Sequence, residues 1–225
     1  MIMLKLKYLF RKKARRLHDD SRKLLPTEWQ NWFIGKEFST DWTSKNYPSW
    51  CGALKDLRNV PVEVLEIGSW EGRSAIFFLE YLASSNITCI DTFSGGIENV
   101  ADAIQSQELP FVEQRFDRNL ATYGDRVRKI KGRSDVALGS ILPTGKKYDL
   151  IYVDGSHERD TAMVDTLLAW QLTKAGGYLI WDDYGGGGNA PDAERVQSAI
   201  DVFLTWHSSD LILIHKGYQV IIRKK

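Results

Sequence analysis

The spacing of apolar and polar residues changes along the chain. From residue 62 onward, short apolar runs alternate with stretches in which apolar residues recur every three or four positions. The short runs predict buried strands, and the longer spacing predicts amphipathic helices. In chain order the predicted elements are strands at 62–67, 87–91, 127–131, 148–154, 176–181, 211–215 and 218–223, with helices at 74–83, 113–123, 161–172 and 193–206.

The order of these elements predicts the fold class. Strands that alternate with helices indicate a parallel sheet with helices on both faces, which is an α/β doubly wound arrangement. The last two strands flank Lys216-Gly217, and this spacing predicts a hairpin that adds one antiparallel strand. We therefore expect one α/β domain at residues 59–225, preceded by a basic and aromatic helical extension at residues 1–58.

The predicted extension has two parts. Residues 1–24 are typical of a helix with one weak apolar face, and basic residues crowd its start before the first acid at Asp19. Basic helices such as residues 1–16 contact anionic membrane surfaces peripherally, but we favour a solvated helix or a subunit contact in a homo-oligomer. Residues 28–50 are rich in aromatic side chains. These aromatic residues either cover the strand ends and help to bind a small molecule, or they pack against the domain.

Composition and charge narrow the class of protein. Hydrophobic residues make up 43% of the chain and charged residues 26%, as in an ordinary globular protein. A net charge of +1 argues against a nucleic-acid partner. The two cysteines, Cys51 and Cys89, form neither a disulfide framework nor a zinc site by themselves. No apolar run approaches the length of about 20 residues that crosses a bilayer, so we expect a cytoplasmic protein.

A glycine-containing loop follows the first predicted strand. Gly68 and Gly72 lie between that strand and the next helix, where glycine allows a sharp turn and a close approach of backbone to ligand. A dinucleotide site would need a further glycine between them, and Ser69-Trp70-Glu71 does not supply it. Asp91 ends the second strand, where an acid can accept hydrogen bonds from ribose hydroxyls. The loop and the acid together favour a nucleoside-containing ligand over a plain turn.

These motifs resemble those of a known family. Residues 62–224 are similar to the class I S-adenosylmethionine (SAM)-dependent methyltransferases, and specifically to the branch of the catechol and macrocin O-methyltransferases. The resemblance rests on the loop at 66–74, on the strand that ends in Asp91, and on three further segments: Gly132-Arg133-Ser134, Asp154-Gly155-Ser156-His157 and Gly176-Gly177 with Asp182-Asp183.

The resemblance implies a fold and a cofactor site. The fold is a Rossmann-like, seven-stranded sheet whose last strand is antiparallel, which agrees with the hairpin predicted independently. The cofactor is SAM, with Asp91 at its ribose and Ser134 at its adenine. The residues expected at the methionine end are Glu66, Gly68, Gly72 and Ser74.

Three acids at the ends of two strands predict a metal site. Asp154 ends one strand and Asp182-Asp183 follow the next, and strands about 4.8 Å apart bring such side chains together. Their mutual repulsion would be relieved by a hard divalent cation, for which oxygen ligands favour Mg²⁺. The alternative is that Asp154 caps a helix and Asp182-Asp183 begin a turn.

His157 is the candidate general base. It follows Asp154 by three positions, and an unperturbed histidine pKa of about 6.5 suits proton removal near neutrality. A surface histidine without a catalytic role is the alternative. Catechol-type enzymes carry Lys at the position of His157 and Asn at that of Asp183, so the macrocin-type pattern matches this chain better.

The expected function follows from these residues. We expect Mg²⁺-assisted methyl transfer from SAM to a hydroxyl of a small or glycosylated molecule, with Asp154 and His157 catalytic. The first alternative is a metal-independent N-methyltransferase, but base-modifying relatives place Asn-Pro-Pro-Tyr after the fourth strand, where this chain has Asp154-Gly155-Ser156-His157. The second is a SAM-binding protein without catalytic activity, which would not need the acids.

Overall fold

A seven-stranded sheet forms the centre of the molecule. The computed structural model describes residues 21–102, 104–186, 191 and 194–225. The strand order is β3-β2-β1-β4-β5-β7-β6, and β7 alone runs antiparallel to its neighbours. This confirms the predicted Rossmann-like α/β sheet with an antiparallel last strand. The strands are β1 (Val62–Ile67), β2 (Ser85–Asp91), β3 (Val127–Lys131), β4 (Tyr148–Val153), β5 (Thr173–Trp181), β6 (Leu211–Lys216) and β7 (Val220–Lys224).

One helix in the described part of the chain precedes the sheet, and the others lie between its strands. In the described residues they are α1 (Tyr47–Ala53), α2 (Arg73–Tyr81), α3 (Ile97–Ala101), α4 (Gln105–Leu120), α5 (Ser134–Ile141), α6 (Arg159–Leu172) and α7 (Val196–Trp206). The sequence placed the start of α4 at residue 113, but the helix begins before Pro110. Proline in a helix interior removes one backbone hydrogen bond, and here the helix continues through it.

Both faces of the sheet are covered. Val64 packs into the apolar core beneath α2, while its neighbour Leu65 packs into the core beneath α5 and α6. Successive side chains on a strand point to opposite faces, so a strand that is apolar at both positions must be covered twice. This double cover explains why the strands appear in the sequence as continuous apolar runs.

The aromatic segment before β1 belongs to the first of these cores. Tyr47 and Trp50 of α1 are fully buried, and their rings stack on Phe77 and Phe78 of α2 at centroid distances of 4.2 and 4.9 Å. The sequence did not predict α1, which is followed by a 3₁₀ turn at Lys55–Leu57. The aromatic segment therefore packs against the domain, which is one of the two roles predicted for it.

The N-terminal part of the predicted extension is only partly described. Of the helix predicted at residues 1–24, residues 1–20 lie outside the described residues, as does the basic stretch 1–16, and Arg22–Leu24 is a 3₁₀ turn. Where the structure does describe the chain, none of its helices has both the length and the apolar composition that crossing a bilayer requires.

Candidate active site

The glycine loop joins the ends of three strands. Gly68 and Gly72 have φ angles of +84° and +82°, a conformation that glycine adopts without strain. The N–H of Gly68 donates to the carbonyl of Ile90 at 2.9 Å, and the N–H of Asp154 donates to that of Ile67 at 2.7 Å. A Cβ on Gly68 would overlap the carbonyl oxygen of Asp154. Glycine at this position therefore lets β1, β2 and β4 converge.

Asp91 fixes the shape of this loop. Its Oδ2 accepts hydrogen bonds from the N–H groups of Ser69 and Trp70, both at 2.7 Å, and its Oδ1 accepts one from Phe93 at 2.6 Å. Burial raises the pKa of Asp91 more than these N–H groups lower it. An ionised carboxylate has about four acceptor positions, and backbone N–H groups of the loop occupy most of those of Asp91. The sequence did not predict these backbone contacts.

A cavity of about 570 Å³ opens above the loop, at the carboxyl ends of the parallel strands. This edge is where ligands bind in open α/β sheets. Seven of the residues to which the sequence analysis gave a role in cofactor binding, metal binding or catalysis line the cavity, namely Gly68, Asp91, Ser134, Asp154, His157, Asp182 and Asp183.

Three other expected cofactor residues lie behind the cavity wall. Glu66 is fully buried under the loop, with Cys89 Sγ 3.6 Å from its Oε2. Gly72 faces the side chains of Leu120 and Phe116, and Ser74 is buried at the start of α2. These residues support the loop from below, and their direct contact with SAM stays a prediction.

Several polar atoms of the loop are buried without a partner. Glu66 Oε1, Ser69 Oγ and Trp70 Nε1 make no hydrogen bond to any residue that the structure describes. Buried polar groups are nearly always satisfied in folded proteins, so unpaired ones call for an explanation such as an ordered water or a bound ligand. Three such atoms within five consecutive residues fit a loop that binds a polar ligand.

Ser134 lies at another part of the cavity wall, at the start of α5. Behind it is Asp165, a fully buried acid on α6 that the sequence analysis did not single out. Burial raises the pKa of Asp165 to about 6, and the facing hydroxyl of Ser134 lowers it. The contact of Ser134 with adenine stays a prediction.

The three predicted acids meet on one side of the cavity. The hydroxyl of Tyr152 lies 2.9 Å from Asp154 Oδ2 and 2.5 Å from Asp182 Oδ2, so it joins the two carboxyl groups. Asp182 Oδ1 accepts the N–H of Asp183 at 2.8 Å. Asp183 has a φ of +52°, which is uncommon for a residue other than glycine and is found most often at functional sites.

His157 joins this group through Asp183. Its Nε2 lies 2.8 Å from Asp183 Oδ2, while the hydroxyl of Tyr218 donates to Asp183 Oδ1. A carboxylate only accepts hydrogen bonds, so Nε2 carries a hydrogen in this arrangement. Tyr218 comes from the turn between β6 and β7, and the sequence did not predict it at the site.

The pKa values of the acids show how strongly they interact. Burial raises the pKa of Asp154 well above its ordinary value, and the charges of Asp182 and Asp183 raise it further. Burial also raises the pKa of Asp182. Burial opposes ionisation of Asp183 too, but the hydrogen bond and charge of His157 outweigh it and lower the pKa of that acid. A cation at this position would relieve the repulsion.

The donor atoms fit a divalent cation. One ligand atom from each of Asp154, His157 and Asp183 lies within 4.8 Å of the other two. Ligand atoms around one octahedral Mg²⁺ are up to about 4.2 Å apart, so a small contraction suffices. The sequence-predicted ligand set, Asp154, Asp182 and Asp183, stays a prediction, and the structure adds His157 to the donor atoms near two of these acids. The carboxyl group of Asp182 is already bonded to Tyr152 and to the backbone.

The aromatic segment before β1 also reaches the cavity. Trp42 and Lys45 line the wall, with the Trp42 ring 5.5 Å from that of Trp70 and Lys45 Nζ 4.3 Å from the ring centre of Tyr218. The N–H of Ser39 donates to Glu71 of the glycine loop at 2.6 Å and so anchors the segment. The sequence identified the aromatic stretch but could not tell which of its rings reaches the cavity.

Because Glu66 is buried, we expect the protein to lose stability as the pH rises. Burial raises the pKa of Glu66 to about 7. Between pH 4.5 and 7 the folded state retains a proton that the unfolded state releases, so stability falls across this range, by on the order of 3 kcal/mol. Glu66→Gln cannot ionise, and thermal unfolding from pH 5 to pH 8 should show a smaller decline in Tm for this variant than for the wild type.

Glu63→Gln is the matched control for this prediction. Glu63 lies on the same strand, but hydrogen bonds from Asn86 and Lys146 outweigh its burial and lower its pKa. Its stabilising contribution is therefore present above its unfolded-state pKa and is lost only in acid. If the wild type and Glu66→Gln declined equally between pH 5 and 8, Glu66 would be ionised without cost in the folded protein.

The fold and the site together define a class of protein. A seven-stranded sheet with one antiparallel strand, a glycine loop after β1, an acid at the end of β2 and a cavity above them are the features of a SAM-dependent methyltransferase. Residues 65–184 match a family model described as a methyltransferase domain, and the chain belongs to this family.

Similar proteins are known by sequence and by structure. The O-methyltransferase hkm8 of Aspergillus hancockii is 30% identical over 139 residues, which are 60% of this chain and 49% of that protein. The chain spans about half the length of the curated relatives that it matches.

Two solved structures show the same fold. The O-methyltransferase from Bacillus cereus in complex with SAH has a TM-score of 0.59 at 16% identity, over 97% of this chain and 99% of that one. The MycE methyltransferase from the mycinamycin biosynthetic pathway in complex with Mg and SAH has a TM-score of 0.58 at 18% identity, over 87% of this chain and 52% of that one.

Proposed function

We propose that the protein transfers the methyl group of SAM to a hydroxyl oxygen of a small or glycosylated acceptor, with Mg²⁺ bound at the acid cluster. The observation that carries this proposal is the position of Asp154, His157 and Asp183, with their ligand atoms within 4.8 Å of one another in the wall of the cavity that the glycine loop also lines. A methyl donor at the loop and a hydroxyl at the acids would share one cavity.

The cofactor would bind along the loop. The unpaired indole nitrogen of Trp70, which lines the cavity, supplies a polar contact, and the carboxyl group of Asp91 suits a ribose hydroxyl. Ser134 would contact the adenine. The sulfonium is positively charged, and a cavity lined by several carboxylates attracts it.

The acids would bind the metal and His157 would take the proton. Asp154 and Asp183 supply ligand atoms, with Asp182 beside them. When bound, a divalent cation lowers the pKa of the acceptor hydroxyl and orients its oxygen. With Nε2 donating its hydrogen to Asp183, a neutral His157 would accept the proton at Nδ1, the ring nitrogen that carries no hydrogen in that tautomer. Because methyl transfer is an in-line displacement, positioning and deprotonation are the main tasks of the protein.

The acceptor class is inferred from the cavity wall. Trp42, Trp70 and Tyr218 line the cavity, and flat aromatic faces suit sugars and other rings. The MycE methyltransferase has also been solved with mycinamycin VI, and the structures of that protein contain Mg. These features support a ring-containing acceptor and a metal.

A calorimetric titration tests the proposal. SAM is titrated into the protein in Mg²⁺ and in EDTA, and methyl transfer is then measured on a panel of sugar and phenolic hydroxyl compounds. We expect SAM to bind with micromolar affinity in both buffers and transfer to require the metal. Transfer that is equal in EDTA would favour a metal-independent enzyme, whereas binding without transfer to any acceptor would favour a non-catalytic protein.

A further inference from the structure

A buried tryptophan from the segment before the sheet contacts two groups that face the acid cluster. Trp50 of α1 is fully buried, and its indole Nε1 donates to Oε1 of Gln219 at 2.7 Å. Its ring also meets the ring of Tyr152 edge-on, with centroids 5.1 Å apart. Tyr152 and Gln219 lie on β4 and next to β7, so they are distant in sequence and neighbours in space.

The hydrogen bond from Trp50 determines the orientation of the Gln219 amide. An indole N–H is only a donor, so the amide oxygen must face Trp50 and the amide nitrogen must point away from it. Gln219 is 2% exposed, and its Nε2 makes no hydrogen bond within the described residues. The antiparallel pairing of Trp181 with Val220 places Gln219 opposite Asp182 at the end of the same ladder. A buried donor thus lies opposite one of the acids.

Tyr152 contacts the same acids from below. Its hydroxyl lies 2.5 Å from Asp182 and 2.9 Å from Asp154. A hydroxyl has one hydrogen and can donate it fully to only one of them at a time. Its position between the two carboxyl groups therefore fixes their separation. Trp50, in turn, packs against the Tyr152 ring and prevents it from moving away.

We propose that Trp50, Tyr152 and Gln219, which we call the orienting cluster, hold Asp182 in place and, through the Tyr152 hydroxyl that joins the two carboxyl groups, position Asp154 for the divalent cation. None of the three lines the cavity, so they act through the acids rather than by touching a ligand. The inference rests on the proposed metal site. Groups that hydrogen-bond to metal ligands fix their geometry, and their loss typically weakens metal binding by about 10- to 100-fold.

The first test removes one hydroxyl. Tyr152→Phe should weaken the binding of Mn²⁺, measured by the electron paramagnetic resonance signal of the free ion, by about 10-fold or more. SAM affinity in EDTA should stay within about twofold. Tyr148→Phe is the control, because Tyr148 is a fully buried tyrosine on the same strand whose hydroxyl makes no hydrogen bond within the described residues. It should bind Mn²⁺ as the wild type does.

The second test asks whether Trp50 acts through Gln219. Trp50→Phe keeps a ring but loses the indole N–H, and Gln219→Met keeps the length but loses both polar atoms. Each should weaken Mn²⁺ binding several-fold, and the double variant should be little weaker than Gln219→Met alone, because residues that act through one another are not additive. The Mn²⁺ affinities of the Trp50 and Gln219 variants test the inference even if Tyr152→Phe does not fold.

The outcomes separate this inference from the proposed function. If the wild type bound no Mn²⁺, both the metal site and the orienting cluster would be withdrawn. If the wild type bound Mn²⁺ and all three single variants bound it within about twofold of that affinity, the inference alone would be wrong. Additive losses from Trp50→Phe and Gln219→Met would show that Trp50 does not act through the amide.

Discussion

Asp154→Ala should reduce methyl transfer by about 10³-fold or more while SAM affinity stays within about threefold. Its carboxyl group lies between the Tyr152 hydroxyl and the other acids, so its loss removes a metal ligand. A 10³-fold loss corresponds to roughly 4 kcal/mol of transition-state stabilisation, which is within the range of metal-ion catalysis. The backbone of Asp154, which contacts the glycine loop, is unchanged by the substitution.

Initial rates at saturating SAM and Mg²⁺, together with calorimetry of SAM, would measure this effect. Asp160→Ala is the matched control, since Asp160 is an exposed acid on α6 that pairs with Arg159 outside the cavity. Its variant should keep wild-type rates. Normal turnover by Asp154→Ala would overturn the metal-assisted mechanism, whereas a loss of SAM binding would place Asp154 in the cofactor site instead.

Gly68→Ala should destabilise the fold and weaken SAM binding by about 100-fold or more. The new Cβ would overlap the carbonyl oxygen of Asp154 and lie 2.9 Å from Cα of Gly155. These are backbone atoms, so relief requires the ends of β1 and β4 to separate. The positive φ of Gly68 adds a further cost of roughly 1–2 kcal/mol for any residue with a Cβ. Denaturant unfolding and SAM calorimetry would measure both effects.

Gly145→Ala separates the two costs expected for Gly68→Ala, which are the overlap of the new Cβ with the backbone and the positive φ angle. Gly145 has a φ of +73°, but a Cβ there meets no atom within 4 Å. This variant therefore incurs only the conformational cost, roughly 1–2 kcal/mol, and should bind SAM normally. The excess loss in Gly68→Ala measures the overlap with Asp154. Equal stabilities and equal SAM affinities in the two variants would mean that the strand ends move apart easily.

Much of the fold could be predicted because its signals are local. Each strand of the sheet is a short apolar run, and the double cover of the sheet makes those runs stand out from the helices. The antiparallel strand followed from Lys216-Gly217, whose spacing leaves room only for a turn. The position of the acids followed from the rule that carboxyl ends of parallel strands lie at one edge.

The rest of the site could not be predicted because it depends on tertiary contacts. Trp42 and Lys45 reach the cavity from a segment with no regular pattern, and Tyr218 reaches it from a hairpin turn. Nothing in the local sequence distinguishes Trp50 or Gln219 from ordinary core residues. The pairing of His157 with Asp183 depends on the positive φ of Asp183, which no sequence pattern indicated.

Helix α1 and the aromatic residues before it set a limit on how the protein can be divided. The rings of Tyr47 and Trp50 in α1 stack on Phe77 and Phe78. A fragment that began at residue 59 would therefore expose those two phenylalanines to water. Loss of a fully buried tryptophan side chain alone typically costs 3–5 kcal/mol, a large part of the stability of a single domain. We therefore expect that a transplantable or minimal methyltransferase made from this chain has to start before Trp29. Chimeras that join its sheet to another protein's N-terminal region would have to redesign the Trp50 contacts.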